Sequence, residues 1–188
     1  MPFRGRERGI RSFFCALGLL FALLAQTLGA ATLSGRVIHV ADGDTLTVLD
    51  DQHHSHKIRL AGIDAPERGQ PFGRRSAEAL IRLTTNRFVT VDGGKTDRYQ
   101  RRVGIVRIAP PGCVSCAPSV DVGLALISAG LAWHYRSYER EQNAADREHY
   151  RSAEAGARAR HDGLWADAAP TPPWDWRRAR REGSAARH

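Results

Sequence analysis

Between Gly35 and Leu60 the chain carries three short β-branched runs, residues 36–40, 45–49 and 56–60, separated by turn-forming residues. Runs of this length and spacing read as a three-strand meander. In residues 74–85, Ala77, Leu80, Ile81 and Thr84 recur at helical spacing with charged residues on the opposite side, so one amphipathic helix follows the meander. Residues 88–92 and 102–108 are two further strands, and the polar stretch through Gly93, Gly94 and Lys95 is the turn expected between them. A short helix over 121–129, closed by Gly130, and a longer Ala-rich helix over 139–160 complete the pattern, with Gly163 ending that region. Strands first and helices afterwards make an α+β protein with a mainly β core. Periodicity alone leaves open whether the sheet is open or closed into a barrel.

The segment before Gly35 has a different character. Arg4, Arg6, Arg8 and Arg11 precede an apolar run over 13–24, and Gly29, Ala30 and Ala31 supply small side chains behind it. This is the layout of a secretory signal peptide, so residues 1–31 are expected to be removed and the protein exported to the periplasm or medium. The run is short for an uncleaved membrane anchor, and no membrane association is expected after cleavage. The remainder carries a net charge of about +5. It is long enough for one domain, residues 32–167, followed by a tail over 168–188. A basic exported surface suits a polyanionic partner such as nucleic acid. No stable protein partner is implied, and a monomer is expected.

Cys113 and Cys116 are the cysteines left after cleavage, in a loop that also holds Pro110, Pro111 and Pro118. An oxidising compartment favours a local disulfide between them. The competing arrangement is a zinc half-site completed by His53, His54 and His56; it is the weaker one because no second cysteine pair exists. In the tail, Trp174 and Trp176 stand among Arg177, Arg178, Arg180 and Arg181, behind Pro170, Pro172 and Pro173. Such a segment can stack bases and follow phosphates. The plainer expectation is a mobile end with an aromatic side chain anchored on the domain.

Two short turns carry the chemistry. Asp42-Gly43-Asp44-Thr45 and Asp64-Ala65-Pro66-Glu67 each follow a strand and together gather four carboxylates. Carboxylates brought that close repel one another unless a cation lies between them, and an all-oxygen set selects calcium, magnesium or manganese over zinc. It is not an EF-hand, because Leu46 and His53 stand where that loop needs oxygen ligands. Arg59 precedes the second turn by five residues, and Arg101 lies in a polar turn after Thr96-Asp97-Arg98-Tyr99. The forked, permanently charged guanidinium suits a phosphate clamp.

The order of these parts, Asp42-Gly43-Asp44-Thr45, then Arg59 with Asp64-Ala65-Pro66-Glu67, then Thr96-Asp97-Arg98-Tyr99-Gln100-Arg101, and later Gly130-Leu131-Ala132, resembles the staphylococcal nuclease family. That resemblance implies a five-stranded OB-fold barrel with about three packed helices, and a calcium-dependent nuclease acting on DNA or RNA. It implies that Asp44 and Asp64, with the backbone carbonyl of Ala65, hold Ca2+. The family's type member has threonine where Ala65 stands, which removes a hydroxyl and leaves the carbonyl. By the same resemblance Arg59 and Arg101 grip the scissile phosphate, Glu67 orients or deprotonates the attacking water, and Arg98 and Tyr99 touch the substrate strand. Asp42 and Thr45 would support the ligands from behind. The alternative is an OB-fold module that binds nucleic acid without cutting it.

Overall fold

The structure, a computed structural model, describes residues 32–113 and 115–186. The expected leader over 1–31 lies outside them. Within the described residues eight strands form: β1 (Leu33–Val40), β2 (Thr45–Leu49), β3 (Ser55–Leu60), β4 (Ile63–Asp64), β5 (Phe88–Thr96), β6 (Arg102–Ile108), β7 (Val120–Asp121) and β8 (Trp133–His134). Among the described residues four α-helices accompany them: α1 (Gly73–Thr84), α2 (Val122–Ser128), α3 (Ala144–Ala159) and α4 (Pro173–Ala185). Short 3-10 turns at Arg136–Glu141 and Gly163–Ala166 flank α3. Among the described residues no helix is long and apolar enough to cross a membrane.

The main sheet runs β3-β2-β1-β5-β6-β7, and a parallel pairing of β3 with β6 closes it. Ile58 faces Arg102 and Leu60 faces Gly104 across that seam. Closure turns β1, β2, β3, β5 and β6 into a five-stranded barrel, which is the choice that periodicity left open. The alternation of each strand then has one destination. Val37, Leu46, Val48, Ile58, Leu60, Val89, Val91, Val106 and Ile108 all point inward and are buried. At about 1.5–3 kcal/mol for each large aliphatic side chain taken from water, this interior is the main source of stability. Leu80 of α1 and Leu126 and Ile127 of α2 join the same core.

Local chemistry sets the helix ends. The Asp121 carboxylate accepts from the Leu124 N–H at 3.0 Å and starts α2. Gly130 ends it at φ 64°, a conformation that costs a residue with a Cβ. Asn143 caps α3 by accepting from the Asp146 N–H at 2.9 Å. That cap divides the single helix expected over 139–160 into a 3-10 turn and α3. A second correction concerns Gly93, Gly94 and Lys95, which lie inside β5 rather than in the turn after it. The strand absorbs them as a bulge between Asp92 and Lys95. The reversal comes later, where the Asp97 carboxylate accepts from the Tyr99 and Arg101 N–H groups at 2.8 and 3.0 Å.

A second, smaller apolar cluster of Trp133, Ala157, Leu164 and Trp165 sits outside the barrel, with Phe72 and Trp174 packed on it. It is the platform for the C-terminal segment. The anchored aromatic expected there is Trp174, whose ring lies 6.4 Å from Trp133 and 5.6 Å from Tyr135. The residues beyond it form α4, with Pro173 in its first turn, where a missing N–H costs nothing. Cys113 and Cys116 are joined as a disulfide, which leaves no thiolates for the zinc alternative. His54 and His56 gather instead on Asp50 at the tip of the β2–β3 hairpin, the His56 Nε2 lying 2.7 Å from its carboxylate.

Candidate active site

Both acidic turns open at one end of the barrel. In the β1–β2 turn, the Asp44 N–H donates to the Asp42 carboxylate at 3.1 Å, and the Asp44 carbonyl accepts from the Leu60 N–H at 2.9 Å. The first contact shapes the turn and the second ties it to the end of β3. Gly43 lets the second turn come close, since a Cβ there would meet the Ala65 Cβ and the Ser76 Cβ at 2.7 Å each. Asp64 is held from the other side, because β4 pairs with β8 through Asp64 and Trp133. Asp44, Asp64 and Ala65 are buried as a result, Asp64 completely.

Arg59 is the hub. Its Nη1 contacts Asp44 Oδ2, and its Nη2 donates to Asp64 Oδ1 at 3.0 Å. One guanidinium therefore reaches two carboxylates that lie twenty residues apart in sequence. Burial works against the charge of Arg59, but Asp44 and Asp64 outweigh it and push its pKa up. Burial likewise opposes ionisation of Asp44, yet Arg59 and the Ala65 N–H, which donates to Asp44 Oδ2 at 3.1 Å, bring its pKa down. Burial raises Asp64 despite its arginine neighbours. Asp42 is pushed up to about 6, by burial first and then by the Asp44 charge.

Arg101 joins through Thr45. Its Nη1 donates to the Thr45 hydroxyl at 3.3 Å, and that hydroxyl donates to Asp44 Oδ1 at 3.0 Å. The other edge of Arg101 is held by Asp97, with Nε to Oδ2 at 2.8 Å. Tyr99 is exposed, with the guanidinium groups of Arg98 and Arg101 within 4.8 and 5.3 Å of its ring centre. The structure thus brings together Asp42, Asp44, Thr45, Arg59, Asp64, Ala65 and Arg101, with Arg98 and Tyr99 on the exposed flank.

Glu67 joins this group through a residue that the sequence did not single out for the site. Arg177 of α4 donates through Nη1 to Glu67 Oε1 at 2.7 Å and to Asp64 Oδ1 at 3.2 Å, and through Nη2 to Asp64 Oδ2 at 2.7 Å. Its place in a run of arginines gave no signal of a partner more than a hundred residues away. Beside α4 a cleft of about 690 Å3 is lined by Tyr135, Trp174, Arg136, Arg158 and Arg178, among others.

Among the described residues, no group of three or more His, Cys, Asp and Glu side chains is arranged to hold a metal ion. The set here is smaller, two buried carboxylates and a neighbouring carbonyl, and its chemistry fits a hard divalent cation. All the donors are oxygen. Asp44, Asp64 and Glu67 share the two directly paired guanidinium groups of Arg59 and Arg177, while Asp42 stands beside Asp44 without an arginine partner of its own among the described ion pairs.

Residues 57–167 match the family model described as staphylococcal nuclease homologue. The chain is similar to Protein ParB of Escherichia coli, 39% identical over 87% of this chain and 89% of that protein. It is similar to a micrococcal nuclease of Shigella flexneri, 36% identical over 87% of this chain and 91% of the relative. An uncharacterized endonuclease of Haemophilus influenzae is 36% identical over 76% of this chain and 72% of its own length. The helix α4 lies beyond the residues that the family model matches.

Proposed function

The chain belongs to the family of staphylococcal nuclease homologues and is a nuclease; on that premise we propose that it hydrolyses phosphodiester bonds of DNA or RNA, or of both, with a calcium ion held by Asp44, Asp64 and the Ala65 carbonyl. The observation that carries this reading is the convergence of Asp44 and Asp64 on the Arg59 guanidinium, with Glu67 in reach of the same Asp64 through Arg177. When bound, the cation supplies positive charge where a phosphate oxygen becomes more negative.

The chain's own residues do the rest. Arg59 approaches Asp44 directly and Arg101 approaches it through the Thr45 hydroxyl, so a phosphate drawn to this pole meets two forked donors. Glu67, with a side chain about one-third exposed, is open to solvent and serves to orient an attacking water and take its proton. The geometry is in-line displacement, in which positioning and electrostatics supply most of the acceleration. Tyr99 and Arg98 give the strand a ring face and a phosphate contact at the rim. The cleft lined by Tyr135, Trp174 and Arg178 offers the same pairing beside α4.

The leader-like segment supports export to the periplasm or medium, and the Cys113–Cys116 disulfide suits an oxidising compartment. There the enzyme acts as a monomer. A module that only bound strands would gain nothing from buried carboxylates, which repel phosphate in the absence of a cation. The deciding measurement is digestion of labelled single-stranded DNA and RNA by the purified protein. Cleavage is expected with calcium and is abolished by a chelator. Retarded but intact oligonucleotide at every calcium concentration would establish the binding module instead.

A further inference from the structure

Three hydrogen bonds already occupy the Asp64 carboxylate, two on Oδ1 and one on Oδ2. Its Oδ1 accepts from Arg59 Nη2 at 3.0 Å and Arg177 Nη1 at 3.2 Å, and its Oδ2 accepts from Arg177 Nη2 at 2.7 Å. The fork of Arg177 spans both oxygens of a fully buried carboxylate, and the same Nη1 holds Glu67 at 2.7 Å. Arg177 therefore lies where it neutralises one cation ligand and the proposed water-orienting group together. A divalent cation taking an oxygen of Asp64 would stand within a few ångströms of this guanidinium, and like charges at that distance in a partly buried site repel strongly.

The anchoring of α4 makes this contact separable from the rest of the helix. Its entry is fixed by Trp174 on Trp133 and Tyr135, by buried Pro173, and by Gln70 Nε2 donating to the Thr171 carbonyl at 2.5 Å. From Arg178 to Ala186 the helix is exposed. The Arg177 side chain, itself about one-third exposed, can leave the carboxylates while the aromatic anchor stays in place.

We propose that Arg177 and the divalent cation are mutually exclusive partners of Asp64, so that α4 holds the cation-free enzyme closed and cation binding drives Arg177 off Asp64 and Glu67. The proposal rests on the cation-site reading above. By linkage, whatever Arg177 adds to the cation-free protein is subtracted from cation affinity.

The test is calorimetric titration of the substrate-free protein with calcium chloride alone. Arg177→Ala and Arg177→Gln are expected to bind calcium on the order of tenfold more tightly than the parent, and Arg177→Lys, which keeps the charge but not the fork, to fall between. Thermal melts provide a second readout: calcium should raise the melting temperature of Arg177→Gln by more than it raises that of the parent. Equal or weaker calcium affinity in Arg177→Gln would overturn the proposal, as would an equal calcium-induced rise in melting temperature. The digestion assay reads the nuclease assignment separately. Unchanged calcium affinity in Arg177→Gln with retained cleavage by the parent sinks only this proposal, and tighter calcium binding in Arg177→Gln without any cleavage by the parent sinks only the nuclease reading.

Discussion

Arg59 and Arg177 place guanidinium groups on the same buried carboxylate, yet they come from opposite kinds of structure. Arg59 projects from a barrel strand, is 14% exposed, and pairs with Asp44 as well as Asp64. Arg177 projects from a helix appended to the barrel, is 36% exposed, and bridges Asp64 to Glu67. The first is part of the frame, because the strand carrying it also closes the barrel. The second depends on a helix held at its entry by the Trp174 contacts, buried Pro173 and the Gln70–Thr171 hydrogen bond, with its far end exposed. One charge is built in; the other can be exchanged.

The contrast is broken most forcefully at Arg59. Arg59→Ala leaves Asp44 and Asp64 without their barrel partner, and removing one member of a buried ionic cluster costs about 3–5 kcal/mol. Denaturant unfolding of the cation-free protein should register a loss of that size. Cleavage should fall by about 10²–10³-fold as one phosphate donor disappears. If stability were unchanged, Arg59 would not be part of the frame.

A smaller effect is expected at the anchor of α4. Trp174→Ala removes two aromatic contacts, worth about 0.5–1.5 kcal/mol each. Hydrogen exchange should then show α4 amides losing protection while β2, β3 and β6 keep theirs. Equal loss in helix and barrel would mean that the two regions are one cooperative unit.

The smallest effect lies behind the site, on β8. Burial holds the His134 pKa below its usual 6.5, although Gln142 Oε1 sits 2.9 Å from its Nε2 and favours the charged form. The unfolded chain therefore takes up the proton first as pH falls. His134 contributes stability that is complete above pH 6.5 and is lost as pH drops toward its folded-state value. Melting temperatures compared between pH 7.5 and 5.5 should decline slightly more for the parent than for His134→Gln.

Much of the barrel is legible from local pattern. The runs over 45–49 and 102–108 coincide with β2 and β6, and the helix expected over 74–85 is α1 displaced by one residue. Those elements have clean alternation or helical spacing, and each buries the face its pattern announces. The Gly93-Gly94-Lys95 segment deceived because glycines mark bulges as readily as turns, and only the partner strand distinguishes the two. β4 and β8 are two residues each, too short to show any period. The helix α4 was hidden by its prolines, which mark helix starts as well as irregular chain. At the site, the paired acidic turns could be picked out from residue type and spacing, and Arg59 and Arg101 from the ordered motifs that carry the family resemblance. Arg177 could not, since a run of arginines says nothing about which carboxylate one of them will meet.

What the sequence determined by itself is the chemistry held within a few residues: the turn that points Asp42 and Asp44, the short distance from Arg59 to Asp64, and the alternation that fills the barrel. These follow from backbone geometry and side-chain type over one turn or strand. Only the tertiary structure decided that Asp44 and Asp64 share one guanidinium, that Thr45 connects Arg101 to them, and that a C-terminal helix reaches back to cover Asp64 and Glu67. Those contacts join residues twenty to more than a hundred positions apart, and they exist because barrel closure and the Trp133 platform bring separate segments to the same pole.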